Sequence, residues 1–180
     1  MSRAVRLSLV FYVPMLAGAF FLRPPGVLRV EDWEPFGWGL AAAVLASAAV
    51  IAASRWVSRR FAWGRAMRDE FRAVLGGMTS RDILWLALLS AFGEEILFRG
   101  ILQSWLGLWP AAALFAGLHF PYRRAMVPWT VFALGMGMGL GWLTAWCGSL
   151  WPAILVHLSV NYFNLHDIAG EGEAEPPRRP

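Results

Sequence analysis

A chain of 180 residues that is 58% hydrophobic, with mean hydropathy +0.50, carries more apolar surface than one water-soluble core can enclose, which leaves lipid as the natural solvent. Its net charge of +4 comes from sixteen arginines and no lysine, and on so apolar a chain this points to membrane headgroups and away from nucleic acid. The single cysteine, Cys147, excludes an intramolecular disulfide and a multi-cysteine metal site, and reads as a small buried residue.

Six apolar segments follow in order, at 7–22, 38–54, 83–103, 110–120, 127–146 and 150–164. They predict an all-α, polytopic membrane bundle of about six spans, although several fall short of the roughly 20 residues of an ideal crossing. Between 56 and 75, Phe61, Met67, Phe71 and Val74 recur at helical spacing among Arg59, Arg65, Arg68 and Arg72. This predicts an amphipathic helix on the membrane surface, where the arginines meet anionic headgroups. Thr79 or Ser80 is placed to cap the third span, with Asp82 in its first turn. The chain reads as one membrane domain over 1–169, followed by a tail at 170–180 whose low apolar content predicts disorder.

Arginine placement gives the orientation. With alternating sides, Arg3 and Arg6, the seven between Arg55 and Arg81, the Arg123–Arg124 pair and the Arg178–Arg179 pair fall together, thirteen of the sixteen. The positive-inside rule then predicts both termini in the cytoplasm, with Trp33, Trp38, Trp105, Trp109 and Trp151 near the outer interface. Arg3 and Arg6 before an apolar run, with Ala17-Gly18-Ala19 behind it, also fit a cleaved leader, which would change only the span count. In the fifth segment, Gly135, Gly137, Gly139 and Gly141 form two overlapping Gly-xxx-Gly pairs, read as close helix packing in preference to dimerisation or gating.

Strongly polar side chains within the segments are few: Glu94, Glu95 and Arg99 on one helix, His119 on a second, His157 and Asn161 on a third. A charge at mid-membrane costs about 2.5–3.5 kcal/mol even on the lenient insertion scale, so such groups face the bundle interior and have a use. Glu95 and Arg99 are four apart on one helix face and predict an ion pair, whereas Glu94 points about 100° away and is left for chemistry. A carboxylate withdrawn from water suits a general base or acid. His157 and Asn161, also four apart, can address one site from a single turn. Counted at about 1.5 Å per residue from the expected outer helix ends, all four groups lie roughly 10–16 Å deep and can share one layer.

At these residues the chain resembles the CPBP intramembrane proteases, also called Abi or type II CAAX prenyl endopeptidases. The family's Glu-Glu-xxx-Arg motif corresponds to Glu94, Glu95 and Arg99, its Phe-xxx-His to Phe115 and His119, and its His-xxx-Asn to His157 and Asn161. The resemblance covers about 83–164. It implies a helical fold with a membrane-embedded cavity in which Glu94, assisted by His119, activates water for peptide hydrolysis. His157 and Asn161 would stabilise the oxyanion, with Glu95, Arg99 and Phe115 supporting the site. The implied substrate is a membrane-anchored protein or peptide, and the expected location the bacterial cell membrane. The chain is shorter than the prenyl proteases, which makes a farnesylated substrate a poor default.

Two other classes fit parts of the pattern. A non-catalytic immunity or scaffold protein has no need of all four polar groups. A proton relay normally spreads its acids over several helices, whereas here both are adjacent. No cofactor is expected, since the His-Glu-xx-His helix that announces zinc is missing, although Glu94, His119 and His157 could supply the three protein ligands of a zinc site.

Overall fold

The computed structural model of the chain describes residues 3–22, 26 and 28–170, so the tail expected to be disordered lies, apart from Gly170, outside the described residues. Within them every regular element is helical. Helix α1 is Arg3–Leu22, α2 Trp33–Arg60, α3 Ala62–Leu75, α4 Ser80–Glu95, α5 Gln103–Leu106, α6 Leu108–Leu118, α7 Val127–Cys147 and α8 Trp151–Gly170. A π-helical segment, Ile96–Leu102, joins α4 to α5 without a break in the chain direction.

Local chemistry accounts for the main boundaries. Asp32 caps α2 by accepting from the Glu34 amide at 3.0 Å. Helix α2 runs farther at both ends than the apolar pattern at 38–54 suggests, because a helix continues through Arg55, Arg59 and Arg60 once their charges reach water. It stops at Phe61, whose extended backbone turns the chain into α3, with Trp56 packed edge-on against the Phe61 ring at the corner. The amphipathic helix expected over 56–75 is therefore divided: its first turn belongs to α2 and the rest is α3. Of the two residues placed to cap the third span, Thr79 does so, and with Asp82 it forms a reciprocal capping box at the start of α4.

The distribution of polarity is that of a protein dissolved in lipid. Glu95 is fully enclosed, and Arg99 and His157 are buried, while Val10, Phe21, Leu45, Leu118 and Phe120 are each about two-thirds exposed or more. An exterior of this kind faces hydrocarbon, and the polar groups pair within. By length and hydropathy, two helices among the described residues qualify alone as membrane crossings, Trp33–Arg60 and Arg124–Cys147, fewer than the six segments suggest. The others are shorter or more polar. Helix α6 has only 11 residues, about 16 Å against a hydrocarbon thickness of about 30 Å, and the α4 to α5 run is diluted by Glu94, Glu95 and Arg99.

Packing centres on α8. Ala43 of α2, Leu140 and Leu143 of α7, and Ala153, Val156 and Val160 of α8 form one buried cluster. Ile96, Ile101, Leu150, Ile154 and Ala19 form a second, which ties α1 and the π segment to α8. Of the glycines on α7, Gly137 lies against Ala112 of α6, where an added Cβ would sit 3.1 Å from its Cα, and Gly141 lies against Gln103 and Leu108. Gly135 and Gly139 have open space at that position. One Gly-xxx-Gly pair thus packs helices as expected, and the other does not.

Candidate active site

Glu94 and Glu95 end the regular part of α4, and the π-helical turn follows directly. An extra residue per turn re-aims the side chains around it, and such insertions recur at functional sites. Arg99, inside the π segment, still reaches back four residues: its Nη1 donates to Glu95 Oε1 at 2.9 Å, with both side chains essentially out of solvent. The guanidinium also stacks on the Phe115 ring, 4.4 Å from its centroid. The ion pair expected from spacing is present, and Phe115 is part of its housing.

The same Glu95 oxygen has a second partner. His157, one turn above Ala153 on α8, brings Nδ1 to within 2.7 Å of Glu95 Oε1. A carboxylate paired with arginine accepts, so His157 donates through Nδ1 and turns Nε2 toward the cavity. That Nε2 lies 3.8 Å from Glu94 Oε2.

His119 arrives by a different route. Helix α6 ends at Leu118, and His119 is the first residue beyond helical geometry. Its Nδ1 donates back to the carbonyl of Phe115 at 2.7 Å, satisfying a helix-terminal acceptor that the backbone leaves open. This local bond accounts physically for the Phe-xxx-His spacing. The ring rests on Phe115 at 4.5 Å and meets Trp129 edge-on at 5.4 Å, while Thr130 Oγ1 holds its carbonyl. With Nδ1 committed, Nε2 is left 4.0 Å from Glu94 Oε2.

Glu94 is therefore the centre. Its Oε2 is buried, accepts no hydrogen bond among the described residues, and faces the second ring nitrogen of each histidine. Its other oxygen, Oε1, accepts a hydrogen bond from the hydroxyl of Tyr12 on α1. Tyr12 has no counterpart among the residues singled out in the sequence, where one tyrosine in an apolar helix carries no signal.

Asn161 lines the same cavity of about 190 Å3 as Tyr12, Glu94, His119 and His157. Its Nδ2 donates to Ser90 Oγ at 2.9 Å, and Ser90 donates to the carbonyl of Ala87. Unlike His157, it is engaged with Ser90 rather than with either glutamate, and it keeps a second N–H. Ser90, one turn before Glu94, is a further polar residue that the sequence reading left out. Beside this cavity lies a larger one of about 590 Å3 between α2, α3, α7 and α8. Phe71, Trp129, Phe132, Val160, Asn161 and Leu165 line both. Arg55, Arg59 and Arg68 are on the walls of the larger space, where Asp167, the one acid among the described lining residues, pairs with Arg55 at 2.6 Å.

Residues 76–163 match the family of type II CAAX prenyl endopeptidase Rce1-like proteins. The chain is also 29% identical over 159 residues, 85% of its own length and 81% of the relative's, to a Bacillus subtilis (strain 168) protein called Uncharacterized protein YpbD. No solved structure shows a significant match. The matched segment supplies Glu94, Glu95, Arg99, Phe115, His119, His157 and Asn161, so the residues of this site are the part of the chain that is similar to the type II CAAX prenyl endopeptidase Rce1-like proteins.

Proposed function

We propose that the protein is an intramembrane endopeptidase that hydrolyses a peptide bond in a membrane-anchored protein, with Glu94 as the base. One observation carries the reading: Glu94 Oε2 is buried without a hydrogen bond among the described residues and stands 3.8 and 4.0 Å from two imidazole nitrogens. These separations exceed a direct hydrogen bond and suit a water shared among the three groups.

In this reading Glu94 takes a proton from that water as its oxygen attacks the scissile carbonyl carbon. The carbonyl π electrons move onto oxygen and give a tetrahedral oxyanion. His157, its Nδ1–H held by the Glu95 carboxylate, would in its doubly protonated form present an Nε2–H that together with the second N–H of Asn161 stabilises that oxyanion. When the C–N bond breaks, its electron pair stays with nitrogen. The proton held by Glu94 passes to the amine directly or through His119, and the products are a carboxylate and an amine. Glu95 and Arg99 orient His157 and keep the buried charge paired.

The larger cavity supports an approach for an extended substrate from the side where Arg55, Arg59 and Arg68 gather. In this reading that side and both termini face the cytoplasm of a bacterial cell, and the arginine pattern supports the sidedness. The test compares membrane proteomes of cells carrying the native chain or Glu94→Gln. A precursor that accumulates in the variant, and is cut by the purified native protein in proteoliposomes, supports the assignment. Identical proteomes, together with no cleavage in vitro, would sink it.

A further inference from the structure

We infer that Tyr12 is a positioning residue for Glu94, so that α1 completes a site whose other parts all lie in the family-matched segment. The inference rests on the hydrolase reading above for its kinetic consequence, and on geometry alone for the contact.

Tyr12 lies 82 positions before Glu94 and comes from a helix outside residues 76–163. Its hydroxyl donates to Oε1, and the assignment of oxygens matters. A carboxylate can rotate and exchange its two oxygens. With Oε1 held by a phenol, Oε2 is the oxygen left facing His119 and His157, and the base presents one orientation to the water between them. Holding a reacting group in a single orientation lowers the barrier without any new contact to substrate.

The approach of α1 that allows this is written into the residue before Glu94. A Cβ added at Gly93 would stand 2.5 Å from Met15 Cε and 2.9 Å from the Tyr12 ring. Glycine at 93 is thus what lets α1 lie close enough to α4 for a tyrosine to reach the carboxylate. Val5 and Ala19, both buried against α4, the π segment or α8, hold the two ends of α1 in place. The alternative in which α1 is a leader cleaved after Ala19 would take this hydroxyl out of the site.

Two readouts test the assignment on the full-length protein in proteoliposomes. The first is infrared difference spectroscopy of Tyr12→Phe against the native chain, with Glu94→Gln to identify the Glu94 carboxylate bands. Loss of the phenol bond should shift those bands, and unchanged bands would overturn the contact. The second is the kinetics of cleavage of a pooled quenched-fluorescence peptide set of apolar sequences. Tyr12→Phe should lower kcat about ten- to a hundredfold with KM nearly unchanged, since only the base is disordered.

A purely structural tyrosine would instead change the melting temperature and leave kcat of the folded fraction intact, which would overturn the role. Gly93→Ala offers an independent variant: it should reproduce the kcat loss with the hydroxyl still in the chain. If the native protein cleaves nothing, the hydrolase reading fails, and the infrared bands still decide whether Tyr12 sets the orientation of Glu94.

Discussion

His157 donates its Nδ1 proton to Glu95 Oε1 at 2.7 Å, on the same oxygen that receives Arg99. Glu95 is therefore more than the counter-ion that its spacing to Arg99 suggests, because it also sets which nitrogen of His157 enters the cavity. The two adjacent glutamates act on opposite edges of one imidazole, Glu95 orienting it and Glu94 facing it.

That division predicts different failures. Glu94→Gln keeps the shape of the side chain and its acceptor for Tyr12, so insertion and abundance should stay near native while cleavage disappears. Glu95→Gln and Arg99→Ala each leave a buried charge without its partner, at a cost of about 3–5 kcal/mol. Both should lower the melting temperature in detergent as well as activity, and Glu95→Gln should do so while also loosening His157. Native thermal stability in Glu95→Gln would refute the buried pair, and native activity in Glu94→Gln would remove Glu94 from the chemistry.

The glycines of α7 make a second prediction, on packing. Gly137 meets Ala112, main-chain Cα and O included, with no room for a side chain, so Gly137→Leu should separate α6 from α7 and cost about 1–3 kcal/mol. Gly135→Leu points into open space and should be nearly neutral. Thermal melts of the two variants, read by near-ultraviolet circular dichroism, distinguish them. Equal destabilisation would mean that both Gly-xxx-Gly pairs are buried, as in a dimer.

Topology gives a third. Reporters fused near Arg65 and after Gly170 should both read cytoplasmic, because thirteen of sixteen arginines fall on that side when spans alternate. The exposed Glu70–Arg123 ion pair at 3.0 Å joins two of the loops assigned to that face, which fits one side for both. An external signal at either fusion would reverse the orientation and move the arginine-lined cavity to the opposite face.

How much of this was legible in the sequence follows from what each feature depends on. The helical class, the capping box at Thr79 and the Glu95–Arg99 pair rest on short-range spacing, and spacing is what a sequence displays. The approach of Glu94, His119 and His157 was visible as a common depth, because intramembrane charge is too costly to be scattered. Tyr12 was not visible, since its bond spans 82 positions and depends on the absence of a Cβ at Gly93. The number of helices able to cross on their own was also overread: among the described residues two are long and apolar enough, because α6 ends at Leu118 and the polar site itself dilutes the run from α4 into α5. Nor could spacing distinguish His157 from Asn161, which share a helix turn yet bond to Glu95 and Ser90 respectively.

The final prediction is that cleavage needs no tightly bound metal. Zinc bonded to nitrogen and oxygen at about 2.0–2.1 Å in a tetrahedral site brings its ligand atoms to within about 3.4 Å of one another. Glu94 Oε2 lies 3.8 and 4.0 Å from the two imidazole nitrogens, wider than that, and among the described residues no group of three or more His, Cys, Asp or Glu side chains is arranged to hold a metal ion. The Nδ1 atoms of both histidines have protein acceptors, an arrangement that also orients metal ligands, so spacing and not tautomer is the discriminating feature. Water activated by a carboxylate and polarised by two imidazoles meets the same chemical need. Purified protein dialysed exhaustively against a chelator should keep its activity, and elemental analysis should find no stoichiometric metal. Activity lost on chelation, restored by zinc alone, and a metal content that falls in His119→Ala would establish a metalloprotease and reassign Glu94 as a ligand.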